Sequence, residues 1–184
     1  ENVYFLTDTG LLYSFNYKTR RMNWFIDKKN SYGKDSNVIY RANPIVVDND
    51  KILITTAENI SLHNVEIGFE YYNVNLSSKI KPVINQNLIF FITNENFIIC
   101  MEKDSGNIIW AKDISSFLKT KKLKYLNLQK VTSLKIVNNK IFIFLPNYYL
   151  EIDVTSGLLK KANELKFKIK SKPIIVDGNI LYLN

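Results

Sequence analysis

The sequence predicts an all-β protein made of repeated units of four antiparallel strands, and three observations carry this prediction. Apolar segments of about five to eight residues, rich in Ile, Val, Phe and Tyr, alternate with turns that contain Asn, Asp or Gly. The segments recur about every 40 residues, a period typical of propellers and solenoids. No long segment has the 3.6-residue period of a helix. Four-stranded antiparallel units that stack radially form a β-propeller, which is the predicted fold class.

The repeats divide residues 1–184 into four predicted blades and the start of a fifth: 2–27, 43–76, 79–114, 131–165 and 172–184. The first strand of a blade is read from NPIVVDND, KPVINQN and KPIIVDGN, with LKIVNN as a weaker copy. The strand at 173–177 could close a four-bladed ring by pairing with 2–7. Half of a seven- or eight-bladed ring is the favoured interpretation, because 181–184 would otherwise be left over. The prediction is therefore a partial ring of about four blades.

The turn between the third and fourth strands carries the most specific pattern: a polar acceptor, two residues, Thr or Ser, Gly, three residues, and Trp. The acceptor is expected to bond backbone donors of the turn, and Gly allows the left-handed conformation. The aromatic residue is expected to pack against the next blade. Lys161 stands in the aromatic place of the last copy, and Arg20 in the glycine place of the first. The residues that form the pattern are Asn16, Thr19, Trp24, Asn64, Gly68, Tyr72, Glu102, Ser105, Gly106, Trp110, Asp153 and Gly157.

This pattern resembles the pyrroloquinoline-quinone-like (PQQ-like) repeat, the tryptophan-docking unit of quinoprotein-type propellers. The resemblance covers nearly the whole chain. Among propellers of this type without enzymatic activity, the chain looks most like the BamB-type outer-membrane protein assembly factors. That resemblance implies a scaffold at the periplasmic face of the outer membrane, lipid-anchored in the full-length protein. It also implies a protein partner, the barrel-assembly subunit of the outer membrane.

Two connections between predicted blades are unusually long, at 28–42 and 115–130. Long loops on a rigid scaffold are a usual place for recognition. The second connection combines apolar residues with lysines, and a short amphipathic helix is predicted near 116–126. An ordinary packed insertion is the alternative. The candidate partner-binding residues are Phe117, Leu118, Lys121, Lys122, Lys124 and Tyr125.

The net charge of +8 is unevenly spread, because residues 114–150 contain seven lysines and no acidic residue. A second basic stretch runs from Lys166 to Lys172. The two interpretations are a solvated lysine face and a docking surface for an acidic protein or an anionic membrane surface. Nucleic acid is not an expected partner, because specific recognition of bases and phosphates favours arginine and the chain has three.

No catalytic, cofactor-binding or metal-binding residue is predicted, and no cofactor. The single cysteine, Cys100, lies in an apolar run and is expected to be a buried thiol. The single histidine, His63, is expected to be a structural or surface residue. No apolar run approaches the roughly 20 residues of a membrane-spanning helix. The prediction is a non-enzymatic interaction scaffold; the alternatives are a fragment of a PQQ-dependent dehydrogenase and a ligand-sensing propeller domain.

Overall fold

The computed structural model describes residues 2–28, 41–120 and 127–183. Seventeen strands in this part of the chain form five antiparallel sheets. Sheet 1 contains β1 (Asn2–Leu6), β2 (Leu11–Asn16) and β3 (Arg21–Asp27). Sheet 2 contains β4 (Val46–Asp48), β5 (Lys51–Thr55), β6 (Ile60–Asn64) and β7 (Glu70–Val74). Each strand pairs with its neighbours in sequence, as a meander requires.

Sheets 3 and 4 have the same order as sheet 2. Sheet 3 contains β8 (Val83–Asn85), β9 (Leu88–Ile92), β10 (Phe97–Glu102) and β11 (Ile108–Asp113). Sheet 4 contains β12 (Ser133–Val137), β13 (Lys140–Phe144), β14 (Tyr148–Asp153) and β15 (Leu159–Glu164). The hairpin of β16 (Ile174–Val176) and β17 (Asn179–Leu181) follows. The predicted four-stranded antiparallel units are confirmed.

Sheets 1 to 4 share one register of strand pairing. In all four, the residue that opens the second strand of the unit pairs with the polar acceptor of the third turn, in the pairs Asn2–Asn16, Lys51–Asn64, Leu88–Glu102 and Lys140–Asp153. The pairing of the third and fourth strands shifts by one residue in each of sheets 1 to 4. A bulge at the same place in four sheets shows that the repeats are equivalent in structure as well as in sequence.

The turns between first and second strands contain residues with positive φ, as their Asn- and Asp-rich sequences predict. Asn and Asp tolerate this left-handed region better than other residues with a side chain. The residues are Asn49, Gln86, Asn138, Asn139 and Asp177.

The described residues form two compact units, 1–78 and 79–184. Sheets 1 and 2 share the core of the first unit, in which Leu12, Ile52 and Ile54 are buried. The core of the second unit joins sheets 3 and 4 and includes Phe90, Ile92 and Ile141. Strands such as β5 and β9 are buried on both faces, which explains their unbroken apolar sequences.

The second insertion contains α1 (Ile114–Thr120), which begins two residues earlier than the predicted helix. Asp113 moves the start, because its carboxylate accepts a hydrogen bond from the backbone N–H of Ser115 at 2.7 Å and another from the Ser116 hydroxyl. These bonds to the ionised form lower the pKa of Asp113. A short 3₁₀ helix (Leu128–Lys130) ends the insertion. Within the described ranges no helix has the length and apolar character needed to cross a membrane.

Candidate functional site

The polar residue that begins each third turn closes the turn with its side chain. Asn16 Oδ1 accepts hydrogen bonds from the backbone N–H groups of Lys18 and Thr19 at 3.1 and 3.0 Å. Asn64 Oδ1 makes the equivalent pair of bonds at 2.8 and 3.0 Å. The side chain of the acceptor therefore stabilises the conformation of its own turn, because it pairs with backbone N–H groups that have no partner in the strands.

In the turns whose acceptor is Asp or Glu, the serine three residues later donates hydrogen bonds to the carboxylate. Asp153 Oδ1 accepts from both the backbone N–H and the hydroxyl of Ser156, each at 2.8 Å. These bonds stabilise the carboxylate, so they lower the pKa of Asp153. Glu102 accepts from the Ser105 hydroxyl at 2.6 Å. Both acids thus have a structural task within their own turns.

The glycine place of the turn is left-handed in every copy. The φ angle is +73° at Gly68, +73° at Gly106 and +68° at Gly157. Arg20 takes the same conformation with φ of +56°, although its side chain makes this backbone costlier. The turn geometry therefore survives the loss of glycine in the first copy.

Both tryptophans bind the third turn of the following sheet. The indole Nε1 of Trp24, on β3, donates to the backbone carbonyl of Val65 at 3.1 Å. The indole Nε1 of Trp110, on β11, donates to the carbonyl of Val154 at 3.2 Å. Val65 and Val154 each directly follow the acceptor of their turn, so the two contacts are the same contact in two different units.

The turn glycine of the following sheet provides the space for each indole. A Cβ atom at Gly68 would lie 2.9 Å from Trp24 Cε3, and a Cβ at Gly157 would lie 2.7 Å from Trp110 Cε3. Glycine is thus required twice, for its positive φ and for its missing side chain. The sequence predicts only the first reason, because the second depends on a contact with a residue more than 40 positions away.

The two remaining aromatic positions differ from the tryptophans. Tyr72 is paired with Leu62 across β6 and β7, and its side chain is half-buried. Lys161 is exposed on β15, opposite Glu151. A lysine at this place cannot supply the flat apolar surface of an indole, so the docking pattern is incomplete in sheet 4.

The candidate partner-binding residues do not form one described surface. Leu118 is only 3% exposed and lies in the core of the second unit, so it is not part of an exposed binding surface. Leu118 lies on the side of α1 that faces this core. Its burial therefore favours the alternative of an ordinary packed insertion for this residue. Phe117 is partly buried, and Lys119 is exposed. Lys121, Lys122, Lys124 and Tyr125 lie outside the described residues.

A buried polar cluster joins sheets 1 and 2, and sequence analysis did not predict it. Lys28, directly after β3, is completely buried, and its ammonium group forms an ion pair with Glu70 on β7. Lys28 Nζ also lies 3.3 Å from His63 Nε2. The backbone N–H of Lys28 donates to the Gly10 carbonyl at 2.9 Å, which fixes the end of β3. The cluster therefore ties the start of the first long insertion to sheet 2.

His63 is neutral in this cluster. Its Nδ1 lies 3.3 Å from the carbonyl of Gly68, and a carbonyl only accepts, so Nδ1 carries the proton. Nε2 is then an acceptor for Lys28 and for the Ser61 hydroxyl, which is 3.1 Å away. Burial, followed by the positive charge of Lys28, lowers the pKa of His63 to about 4. His63 is thus a satisfied structural histidine, one of the two interpretations that the sequence allowed.

Cys100 is a buried thiol, as its apolar run predicts. It is 1% exposed in the core of the second unit. Burial raises the pKa of its thiol to about 11, because the thiolate would lose its hydration. The thiol is therefore protonated and shielded near neutral pH.

The charge differs between the two units. Residues 1–78 contain eight basic and nine acidic residues, whereas residues 79–184 contain seventeen lysines and eight acidic residues. The second unit is thus strongly positive and the first is nearly neutral. An excess of positive charge attracts anionic partners over distances of about a Debye length.

Comparison with solved structures finds the same fold in other proteins. BamB from Moraxella catarrhalis matches 98% of this chain with a TM-score of 0.68 and 13% identity. The computationally designed protein Ika8 matches 98% with a TM-score of 0.70 and 8% identity. The chain spans about half the length of these structures, 54% and 52% respectively. No family model matches the sequence, and no curated protein matches it.

These observations define the class of protein. The chain is all-β, and its four-stranded antiparallel sheets are blades of a partial β-propeller. The similarity to the BamB structure covers 98% of the chain. The residues of the predicted turn pattern form four equivalent turns, and two of these turns accept a tryptophan of the preceding blade.

Proposed function

We propose that the protein is a non-enzymatic propeller scaffold that binds partner proteins, as the BamB-type outer-membrane assembly factors do. The observation that carries this proposal is the similarity to BamB from Moraxella catarrhalis over 98% of the chain. The tryptophan contacts support the finer assignment to the PQQ-like repeat family, because Trp24 and Trp110 bind equivalent turns through the same indole bond.

In this proposal the sheets act as a rigid support and the connections between them recognise the partner. A rigid support lowers the entropic cost of holding recognition loops in place. The insertion at 115–130 leaves the core through α1, which Leu118 and Ile114 anchor by their burial. The exposed Lys119 and the lysines that follow it in sequence would then face an acidic protein surface.

The proposal assigns no catalytic step to the described residues. Three groups of the types that often perform such chemistry form structural hydrogen bonds. His63 has its Nδ1 proton on a carbonyl and its Nε2 beside an ammonium group. Asp153 and Glu102 close their own turns. Each therefore has a structural partner that accounts for its position.

The proposed location is the periplasmic face of the outer membrane, with a lipid anchor in the full-length protein. The positive charge of residues 79–184 supports a secondary attraction to an anionic membrane surface. Fractionation of cells that express the full-length gene, together with labelling by a radioactive fatty acid, tests this location. Recovery of unlabelled protein in the cytoplasmic fraction would contradict it.

The decisive experiment measures binding of the chain to the purified periplasmic repeats of the barrel-assembly subunit from the same organism. We expect saturable binding, and a K121A/K122A/K124A variant should bind at least about tenfold more weakly, which is about 1.4 kcal/mol. The K166A/K168A/K170A variant removes equal charge from the other basic stretch and should bind as the unmodified chain does. Absence of binding, or equal loss in both variants, would refute the proposal.

The dehydrogenase alternative is tested separately. The full-length protein is supplied with PQQ, calcium, an alcohol or sugar and a redox dye, and reduction of the dye is followed by absorbance. The scaffold proposal expects no reduction above the rate without protein. Reduction that depends on PQQ would replace the scaffold with an enzyme.

A further inference from the structure

Three positions at the contact between sheets 1 and 2 differ in character from the same positions between sheets 3 and 4. The first position directly follows the fourth strand, and it holds Lys28 after β3 and Ile114 after β11. The backbone N–H groups of these two residues make the same bond, to the carbonyls of Gly10 and Asn96 at 2.9 and 3.0 Å. Both side chains are completely buried. A lysine thus occupies a place that an isoleucine fills in the second unit.

The other two positions lie on the third and fourth strands of the following sheet. His63 directly precedes the polar acceptor of the turn in sheet 2 and pairs with Glu70. Ile152 has the same place in sheet 4 and pairs with Leu159. Ile152 is buried in one core with Ile114, and Leu159 packs against that core. The three positions are therefore Lys, His and Glu at one contact and Ile, Ile and Leu at its equivalent.

Stability does not explain why the first contact contains the buried cluster of Lys28, His63 and Glu70. Replacement of a buried ion pair by packed apolar residues is often neutral or stabilising. The second unit shows that apolar residues fit these positions of the fold. The property that the cluster adds is titration, because the charge of a histidine changes at mildly acidic pH.

The geometry of the cluster makes its charge balance sensitive to one proton. His63 Nε2 lies 3.3 Å from Lys28 Nζ and 3.4 Å from Glu70 Oε2, the oxygen with which Lys28 forms its ion pair. The imidazole also faces two uncharged residues, Ser61 on β6 and Ile52, its partner on β5. Protonation of Nε2 would place two positive charges 3.3 Å apart beside one carboxylate oxygen. Burial strengthens their repulsion, because little water screens it.

The same histidine supports the turn that receives Trp24. Its Nδ1 donates to the carbonyl of Gly68 at 3.3 Å, and Gly68 is the residue that leaves space for the Trp24 ring. A displacement of His63 therefore reaches the tryptophan contact between sheets 1 and 2. The turn that receives Trp110 has Ile152 in the equivalent position, which does not titrate.

We propose that the buried cluster is an acid-operated switch, which opens the contact between sheets 1 and 2 and leaves the contact between sheets 3 and 4 closed. In mild acid the open form is favoured, because it lets the charges of Lys28 and protonated His63 regain water. The pKa of His63, about 4 in the closed form, shows how strongly that form prefers the neutral ring. With an ordinary pKa of about 6.5 in the open form, the open fraction rises about twentyfold between pH 7 and pH 5. This inference does not depend on the proposed function.

Hydrogen exchange of the two indole N–H groups, followed by proton–nitrogen NMR, tests the switch. Trp24 and Trp110 give one indole signal each, and the single Trp→Phe variants assign them. The measured quantity is the protection factor, which removes the pH dependence of exchange itself. We expect the protection factor of Trp24 to fall at least about tenfold between pH 7 and pH 5. That of Trp110 should be unchanged, so the second unit serves as an internal control.

The variant K28I/H63I/E70L gives the first contact the residues of the second. Its Trp24 protection factor should be the same at pH 7 and pH 5. The single variant His63→Gln tests the same point with a smaller change, should the triple variant fail to fold. Glu66→Gln is the matched control, because it removes an exposed carboxylate of the same turn outside the cluster. This control should keep the full loss of Trp24 protection in acid.

Three results would overturn the proposal. The first is a Trp24 protection factor that is equal at pH 7 and pH 5. The second is an equal fall for Trp24 and Trp110, which would indicate that acid unfolds the whole chain. The third is a His63→Gln variant that keeps the full loss of Trp24 protection, which would assign the effect to another titrating group.

Discussion

Trp24 and Gly68 fit each other across two sheets: the indole ring occupies the space where any other residue at position 68 would place its Cβ, 2.9 Å from Cε3. The indole N–H is held by the carbonyl of Val65 in the same turn. Trp110 and Gly157 repeat the relationship in the second unit. The defining pair of the fold is thus a tryptophan and the glycine of the following repeat.

Replacement of the receiving glycine should be much costlier than replacement of an ordinary left-handed glycine. Gly157→Ala and Gly68→Ala combine a positive φ with overlap on an indole, so we expect a loss of about 2–4 kcal/mol of unfolding free energy. Gly178→Ala is the matched control, because its φ is +76° but nothing lies within 4 Å of its Cβ. It should lose only about 1 kcal/mol. Urea unfolding provides both values, and equal losses would show that the indole contact contributes nothing.

Trp110→Phe removes the indole N–H and leaves the Val154 carbonyl without this donor. We expect destabilisation of about 1–2 kcal/mol, from the lost hydrogen bond and the smaller ring. Trp24→Phe should cost a similar amount in the first unit. Since the chain has two tryptophans, each variant leaves one fluorescent reporter. An unchanged midpoint in both variants would contradict the structural role of the indole bond.

His63 should make the protein less stable in mild acid. Its pKa is about 4 in the folded state and about 6.5 in an unfolded chain, so between these values the unfolded state binds more protons. Stability that is present above pH 6.5 is therefore lost as the pH falls toward 4. Between pH 7 and pH 5 the loss from this group is about 2 kcal/mol.

The His63→Gln variant isolates this effect, because it keeps a polar side chain that does not titrate. Its unfolding free energy should change less between pH 7 and pH 5 than that of the unmodified protein. The chain has one histidine, so a proton NMR titration of the imidazole reads its pKa directly. An imidazole that titrates near 6.5 in the folded protein would disprove the buried arrangement.

Lys28→Met should raise the pKa of His63 and destabilise the first unit. The substitution removes the positive charge 3.3 Å from Nε2, which is one of the causes of the low pKa. It also leaves Glu70 without its buried partner. Because Glu70 is 37% exposed, we expect a loss of about 1–3 kcal/mol rather than the larger value of a fully buried pair.

The K28M/E70Q double variant provides the control for charge imbalance. It should regain part of the stability that Lys28→Met loses, because no unpaired carboxylate remains. The imidazole titration should still report a higher pKa than in the unmodified protein. A double variant less stable than Lys28→Met would indicate that Glu70 has another stabilising contact.

Strand order, the left-handed turns and the positions of the tryptophans could be predicted from sequence, because each depends on residues within one repeat. Asn64 and Gly68, for example, are four positions apart in one turn and act on its local backbone. The close approach of Trp24 to Gly68 could not be predicted in the same way. It requires knowledge of which surface of one repeat faces which surface of the next.

The buried cluster of Lys28, His63 and Glu70 could not be predicted from sequence for a related reason. Lys28 lies at the start of a long polar connection, so its sequence surroundings favour an exposed side chain. Only the pairing of β6 with β7 brings His63 and Glu70 to the same place. The burial of Leu118 is likewise not predictable from sequence, because a short amphipathic segment does not reveal whether its apolar side faces a partner or its own core.

Each tryptophan is encoded before the turn that receives it, by 41 residues for Trp24 and 44 for Trp110. During synthesis from the N-terminus, a finished sheet leaves the ribosome with its indole uncovered until the next repeat has emerged. Completion of these two contacts therefore has a direction along the chain, because sheets 1 and 3 can bury their indoles only after sheets 2 and 4 have been synthesised.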